Sequence, residues 1–293
     1  MILVDYSGIA ISAIHQGLAF TKKPLDEGLI RHMILNTLRM YNVKFRNDYG
    51  RMILCCDGGS VWRKKIFPEY KASRAKGREE SSMDWNEVFR ILNLVREEVR
   101  ENLSFEVIHI QGAEADDVIA TLTEMTQEFG KNEPVMIISA DHDFIQLQKY
   151  SNVKQFSPRT KQLITHEDPI RHLREKILRG DSGDGVPNVL SHNESFVKEG
   201  ARQTPLRTKQ VNEWLERWNE LLEYDDDTVL KSNFNRNREL IDLSCIPSEI
   251  KNEIQKAHGM HNQNESSKIL PYFMQKRCSA LTSLISDFMP IAA

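Results

Sequence analysis

The sequence predicts an α/β chain with a mostly parallel central sheet flanked by helices, followed by a smaller helical region. Three observations carry this reading. Apolar runs of four to six residues, rich in Ile and Val, alternate with amphipathic stretches through the first half. Several of these runs stop at or just before an Asp, as expected where parallel strands end at one ligand-binding edge. From about residue 168 the strand-like runs cease and helical spacing takes over.

In chain order, MILV (1–4) predicts a first strand ending at Asp5. A helical pattern over 29–42 (Leu29, Met33, Leu35, Leu38, Met40) leads to a second strand, MILCC, that ends at Asp57. After a polar basic segment come a helix over 84–101, a strand FEVIHI (105–110) and a helix over about 115–129. PVMIIS (134–139) is a fourth strand, ending before Asp141, and VKQF (153–156) a fifth. Helices are then expected over 168–179, 208–223, 247–257 and 269–288, separated by polar stretches such as Asp225 to Asp227 and NQNESS (262–267). The boundary falls near 165–180, giving regions 1–180 and 181–293, and no internal repeat is visible.

A length of 293 residues with 40% hydrophobic and 28% charged content suits one large domain plus a small helical one with an ordinary core. No apolar run approaches the ~18–20 residues of a membrane span. MILVDYSGIAISAI has no basic n-region and carries Asp5, so a secretory signal is not expected and a cytoplasmic chain is. Cys55, Cys56, Cys245 and Cys278 form no CxxC pair, and the nine histidines lack ligand spacing. A metal here is therefore expected on oxygen. The net charge of −3 gives no sign of a nucleic-acid binder. The distribution does: Arg63, Lys64, Lys65, Lys71, Arg74, Lys76 and Arg78 stand against Glu69 alone between Trp62 and Arg78.

The acids form the stronger pattern. Asp5, Asp57 and Asp141 follow strand ends, Glu114, Asp116 and Asp117 open the helix after the third strand, Asp143 lies two residues past Asp141, and Asp181 and Asp184 sit in RGDSGDG. Singly, each reads as a turn former or helix cap. Capping does not require acids at four successive strand ends. Converging carboxylates raise one another's pKa, and hard divalent cations with oxygen ligands, Mg²⁺ above all, relieve that repulsion. Two such ions ~3.5–4 Å apart stabilise the attacking and leaving oxygens of phosphodiester cleavage. The basic segment WRKKIFPEYKASRAKGREE (62–80) reads either as solvated surface or as a phosphate contact; Phe67 and Tyr70 interleave with its cations, and an aromatic can stack on a terminal base.

The ordered set Asp5, Asp57, Arg63 to Arg74 (with PEYK), EADD (114–117), SxDxDF (139–144) and GDxxD (180–184) resembles the 5′-nuclease, or flap endonuclease, family. Within it, REESxxDW (78–85), VKQFSP (153–158) and the helical C-terminal region are similar to the ribonuclease H branch of T-even type bacteriophages over nearly the whole chain. The resemblance implies a PIN-like nuclease domain, a C-terminal region with a helix-turn-helix type DNA-binding element, and a two-metal 5′→3′ exonuclease and flap endonuclease that removes RNA primers. It implies two Mg²⁺ ions, with Mn²⁺ able to substitute. Asp5, Asp57, Glu114, Asp116 and Asp117 would build one site, and Asp141, Asp143, Asp181 and Asp184 the second. Lys71 and Arg74 would contact the scissile phosphate, Arg63 would support it, and Tyr70 would stack on the terminal base. Residues 62 to about 90 would form a mobile bridge over the active site, with Lys64, Lys65, Lys76 and Arg78 meeting nucleic acid. The substrates implied are RNA–DNA hybrid, duplex and flap DNA, met by a monomer with no membrane role, in the host cytoplasm for a phage protein.

One departure stands out. The family usually continues GDxxDxxPGV into a Gly-rich hairpin, but here GDSGDGVPNV runs into LSHNESFVKEGARQTPLRTKQV. Lys198, Arg202, Arg207 and Lys209 are expected to replace that grip on duplex. Trp214 and Trp218, four residues apart, favour packing over a nucleic-acid platform, and His142 is expected to be a bystander. The tail LTSLISDFMPIAA offers two readings: docking on a replisome partner such as a sliding clamp or single-strand-binding protein, or closing the core, which is preferred. The rival enzyme is a DxD phosphatase or phosphotransferase using Asp141 and Asp143, which leaves Asp5, Asp57, EADD and the basic segment without a role. A ribonuclease of related fold acting on single-stranded RNA, and a non-catalytic DNA-binding protein, are further alternatives.

Overall fold

The computed structural model describes residues 1–21, 26–81, 83–223, 228–260 and 266–289, the side chains of 17–21, 76, 222 and 223 excepted. The acidic run 225–227, residues 262–265, the last four residues of the tail and the Lys76 side chain lie outside the described residues.

Six strands form one sheet in the order β3-β2-β1-β4-β5-β6, parallel throughout except for the β5/β6 pair. They are β1 (Ile2–Asp5), β2 (Met52–Cys56), β3 (Glu106–His109), β4 (Val135–Ile138), β5 (Val153–Ser157) and β6 (Gln162–Ile164). The strands β1, β2 and β4 are apolar on both faces because helices cover both sides. Side-chain alternation divides them: Ile2, Val4, Leu54 and Ile138 enter one core, and Leu3, Ile53, Cys55 and Ile137 the other. The first core is closed by α1 (Tyr6–Thr21), α2 (Glu27–Tyr49) and α5 (Trp85–Asn102), the second chiefly by α6 (Ala115–Gln127). Between β2 and α5 the chain forms the short helices α3 (Val61–Ile66) and α4 (Ser73–Glu79).

Beyond the sheet come α7 (Pro169–Arg179), α8 (Thr208–Glu216), α9 (Trp218–Glu223), α10 (Val229–Ile241), α11 (Ser248–Gly259), α12 (Ile269–Gln275) and α13 (Ser279–Thr282). Residues of α7, α8, α9 and α10 build a third core that also takes in Phe67 and Tyr70. The rest of the chain returns to the sheet. On α11, Ile254 enters the second core, Lys251 pairs with Glu124 (2.7 Å) and His258 Nδ1 meets Glu106 (2.7 Å). The tail buries Phe273, Leu281 and Phe288 in the first core, and Arg39 pairs with Asp287 (2.6 Å). Closing the core is what the described part of the tail does.

The helix expected over 208–223 is broken at Arg217, so Trp214 and Trp218 lie on separate helices. Both still pack in the third core, Trp218 edge-on to Phe234 at 5.2 Å. The helix expected over 269–288 is likewise interrupted, with Arg277 at φ 57 between α12 and α13. Besides the short α3 and α4 in the basic segment, two longer helices escaped the periodicity reading, for opposite reasons. The start of α1, YSGIAISAI, is apolar with no clear polar face. In contrast, α10 turns amides inward, Asn237 Nδ2 donating to the carbonyls of Ile177 (2.8 Å) and Pro187 (2.9 Å) and Asn233 Nδ2 to those of Val189 and Ser191 (both 3.0 Å). Among the described residues, no helix is long and apolar enough to cross a membrane.

Candidate active site

Because β3, β2, β1 and β4 are adjacent and parallel, their carboxyl ends share one edge. A cleft of about 700 Å³ opens there, lined by Asp5, Asp57, Asp116, Asp141 and Asp184 together with Lys71, Arg74 and Arg78. A larger concavity of about 820 Å³ near Lys198 and Arg202 has no comparable convergence of acids.

Each acid is aimed by its local backbone. Asp5 accepts from Gly8 N (3.0 Å) and Ser139 Oγ (3.0 Å). A Cβ at position 8 would lie 2.7 Å from Asp5 Oδ2, so only glycine leaves that carboxylate its place. Asp57 accepts from Ala115 N (3.0 Å), which ties the end of β2 to the start of α6. Asp141 caps the following 3₁₀ segment by accepting from Asp143 N (2.9 Å), and its own N–H donates to Ser139 Oγ (3.1 Å). Ser139 therefore links Asp5 to Asp141. Gln155 Nε2 fixes the same corner by donating to the carbonyls of Ser139 (3.0 Å) and Asp141 (2.6 Å).

Carboxylate oxygens of Asp116, Asp141 and Asp143 lie within 4.8 Å of one another, and so do those of Asp143, Asp181 and Asp184. Asp143 belongs to both groups. Asp181 and Asp184 are presented by a tight loop in which Asp181 accepts from Gly183 N (2.8 Å) and Asp184 N (3.2 Å). Gly180 (φ 72) permits this turn, since a Cβ there would meet the Val186 carbonyl oxygen at 2.3 Å.

The electrostatics divide the acids in two. Burial, then the neighbouring Asp57, lifts the Asp5 carboxyl from its ordinary 3.8 to about 6. Burial and Asp141 push Asp116 well above the ordinary range. In contrast, burial of Glu114 is outweighed by Arg63 and Lys71, which hold its carboxyl at about 2. Asp181 is lowered in the same sense, Lys176 overcoming its burial. Lys176 Nζ sits against Asp143 and 2.8 Å from Asp181 Oδ2. Asp184 takes Arg74, the Tyr70 hydroxyl (2.8 Å) and, more distantly, Lys71 Nζ (3.6 Å). Lys71 adopts φ 58, the left-handed region that costs a side-chain-bearing residue ~1–2 kcal/mol; its backbone N–H to the Asp184 carbonyl (2.8 Å) and its ammonium on Glu114 hold it there.

Four expectations need correcting, those for Asp117, Arg63, Tyr70 and Glu114. Asp117 is not in the cleft: it is fully buried, its oxygens taken by Arg63 (2.8 and 3.1 Å), Trp62 Nε1 (3.0 Å) and Glu114 N (2.8 Å) in a capping box. Arg63 is not free to support a phosphate, because its buried guanidinium spans Asp117 and Glu114 (2.8 Å). Tyr70 is not a stacking surface: its ring is buried in the third core and its hydroxyl donates to Glu114 (3.0 Å) and Asp184. Glu114 itself stands behind the cleft, engaged by Arg63, Lys71, Tyr70 and Ser60. The first part of the basic segment is thus pinned down, with Phe67 buried, while Lys64, Lys65 and Arg78 are exposed. Lys198, Arg202, Arg207 and Lys209 are exposed, and His142 is exposed beside Asp141. Sequence reasoning missed Ser139, Gln155 and Lys176. Ser139 opens SxDxDF and Gln155 lies in VKQFSP, yet neither motif was read for its hydrogen bonds, and Lys176 stood only as a cation in the last turn of the helix that leads into Asp181.

Residues 1–176 match the model of the 5′-3′ exonuclease N-terminal, resolvase-like domain. The chain belongs to the 5′-3′ exonuclease family. Residues 169–288 match the model described as T4 RNase H, C terminal. Against the ribonuclease H of Enterobacteria phage T4, this exonuclease-family chain is 32% identical over 301 aligned positions, covering 98% of the chain and 95% of the relative. Against a 5′-3′ exonuclease of Buchnera aphidicola (subsp. Acyrthosiphon pisum, strain APS) it is 28% identical, over half of each chain. Among solved structures, a bacteriophage T5 flap endonuclease in complex with DNA and metal ions superposes with TM-score 0.64 at 18% identity, covering 88% of this chain and 99% of that one. The T5 protein co-crystallised with metal ions gives 0.62 at 19% identity, covering 87% and 96%. The fold is therefore that of the 5′-nucleases, and the chain is a nuclease, a hydrolase of this family.

Proposed function

We propose that the chain is a divalent-metal-dependent 5′→3′ exonuclease and flap endonuclease that cuts RNA–DNA hybrid, duplex and flap DNA and removes RNA primers during phage replication. The observation that carries this is the pair of overlapping carboxylate groups sharing Asp143, whose Asp116, Asp141 and Asp184 line one cleft with Lys71 and Arg74. The donor set fits hard cations, because every converging side chain offers carboxylate oxygen. The raised Asp5 and Asp116 carboxyls fit as well, since burial with like charges leaves them short of positive charge. Asp5, Asp57, Asp116 and Asp141 would hold one ion, and Asp143, Asp181 and Asp184 a second, Mg²⁺ by preference with Mn²⁺ as substitute. Bound there, the ions would supply an activated water and charge neutralisation at the leaving oxygen.

The remaining work falls to the chain's own groups. Lys71, held charged by Asp184 and Glu114 against the pull of burial, presents its ammonium at the cleft, where a phosphate can share it. Arg74, on Asp184, flanks the same position. Arg63, Tyr70 and Ser60 hold Glu114, and Glu114 in turn holds Lys71. The exposed Lys64, Lys65 and Arg78, and Lys198, Arg202, Arg207 and Lys209 on the C-terminal side, would meet flanking phosphates, which predicts steep loss of affinity with salt. The T5 flap endonuclease structure, whose partners are DNA and metal ions, supports this substrate class. The test is a 5′-labelled panel of flap, duplex and RNA–DNA hybrid, with a phosphomonoester as control, in Mg²⁺ and in EDTA. Cleavage that needs metal and is lost in a folded Asp141→Asn variant is expected. Cleavage in EDTA, or release of phosphate from the monoester alone, overturns it.

A further inference from the structure

The cleft has a second wall. Besides the acids, the lining includes Trp85, Phe89, Leu92, Asn93 and Arg96 of α5. Their spacing of four, three or four, and three or four residues is that of one helix face. The Trp85 and Phe89 rings lie 5.8 Å apart at 35°, and the Arg78 guanidinium approaches Phe89 at 5.9 Å. Two features here are unfavourable for folding alone. Phe89 leaves 39% of its surface exposed, and the buried Trp85 Nε1–H has no hydrogen-bond partner. Trp85 is otherwise held from behind, edge-on to His15 at 6.5 Å.

Tyr70, the aromatic first expected to stack, is buried and bonded to two carboxylates. The aromatic surface open to the cleft is on α5 instead. We infer that Trp85 and Phe89 form a stacking platform for the unpaired bases of a single-stranded nucleic-acid arm whose backbone enters the cleft. This rests on the proposed nuclease reading and names the part of the substrate that the helix face receives. The occupant follows from what surrounds the platform. The same cleft carries Asp116 and Asp141 of one carboxylate group, Asp184 of the other, and Lys71, Arg74 and Arg78, so a phosphodiester reaching these acids brings its own bases against α5. Base faces stack on aromatics regardless of sequence.

The test uses the full chain in Ca²⁺, so that binding is read apart from cleavage. Duplexes with and without a 5′ single-stranded arm are compared, the arm carrying the fluorescent adenine analogue 2-aminopurine next to the junction. Stacking in the parent quenches that fluorescence. In Phe89→Leu the quench is expected to be lost and affinity for the armed duplex to fall about 5- to 100-fold, while blunt duplex binds as before. Phe89→Tyr restores both. Trp85→Leu is expected to act in the same direction, with its thermal midpoint recorded alongside because Trp85 also packs against the first core. A parent that shows no quench, a Phe89→Leu variant that keeps it, or equal losses for armed and blunt duplexes would each overturn the platform. Failure of the nuclease reading is a separate result: a parent that quenches the analogue in Ca²⁺ yet cuts no substrate in Mg²⁺.

Discussion

Replacing Asp5 with Asn tests the charge imbalance of the cleft directly. The substitution keeps the shape of the side chain and an acceptor for Gly8 N, while Ser139 Oγ can turn from donor to acceptor for the new amide. Burial and Asp57 raise the Asp5 carboxyl from 3.8 to about 6 in the folded chain. A folded carboxyl raised in this way contributes its full stability below the unfolded value and loses it as pH rises through about 6. At ~1.4 kcal/mol per tenfold change in proton affinity, an ionised Asp5 at pH 8 costs the metal-free fold up to ~3 kcal/mol. Weaker hydrogen bonds to the neutral amide return part of this, leaving a net gain of about 1–3 kcal/mol for Asp5→Asn. For a chain of this size that is a rise of about 2–5 °C in thermal midpoint in EDTA at pH 8. At pH 4 the two proteins should melt together. With excess divalent cation the advantage should vanish or reverse, because an ion bound at ~100 times its dissociation constant adds about 2.7 kcal/mol to the parent. Scanning calorimetry at pH 4, 6 and 8, with and without Mg²⁺, reads all three arms. If the metal-free variant at pH 8 melts below the parent, or its advantage is the same at pH 4, the argument for an uncompensated carboxylate cluster fails.

Removing the Arg63 guanidinium as Arg63→Met leaves Glu114 and Asp117 buried without their cation, and denaturant titration should show a loss of about 3–5 kcal/mol. Part of that loss is pH-linked: Glu114, held at about 2, gives stability above its unfolded value near 4.5 that fades as pH falls toward 2. Stability equal to the parent with weakened DNA binding would instead return Arg63 to a phosphate-contacting role. In single-turnover cleavage, Lys71→Ala should slow the chemical step about 10²–10³-fold with little change in duplex affinity; an unchanged rate counts against its place at the reacting phosphate. Lys176→Met should cost the metal-free protein about 1–3 kcal/mol and enlarge the rise in melting temperature on adding Mg²⁺, since Asp143 and Asp181 lose their internal counter-charge. An unchanged Mg²⁺ increment would show that Lys176 does not stand in for a cation.

Which residues end the strands could be read from the sequence, because an apolar run closed by an Asp is a local pattern. From MILV to Asp5, MILCC to Asp57 and PVMIIS to Asp141, the order of strands and acids and the likeness to 5′-nucleases followed without coordinates. That these acids share one edge needed the parallel order β3-β2-β1-β4, which depends on pairing between segments far apart in the chain. Local spacing also could not divide the acids by role. Asp116 and Asp117 are neighbours in sequence, yet the helical turn sends one to the cleft and the other into a buried pair with Arg63. Tyr70 was expected to stack, yet packing buries it and leaves open Phe89, which sequence reasoning did not single out. Sequence alone determined the inventory of charges and where strands deliver them. Tertiary structure decided which charges are neutralised by the chain's own cations and which are left facing the cleft, because Coulomb interaction depends on distance and burial rather than on position in the chain.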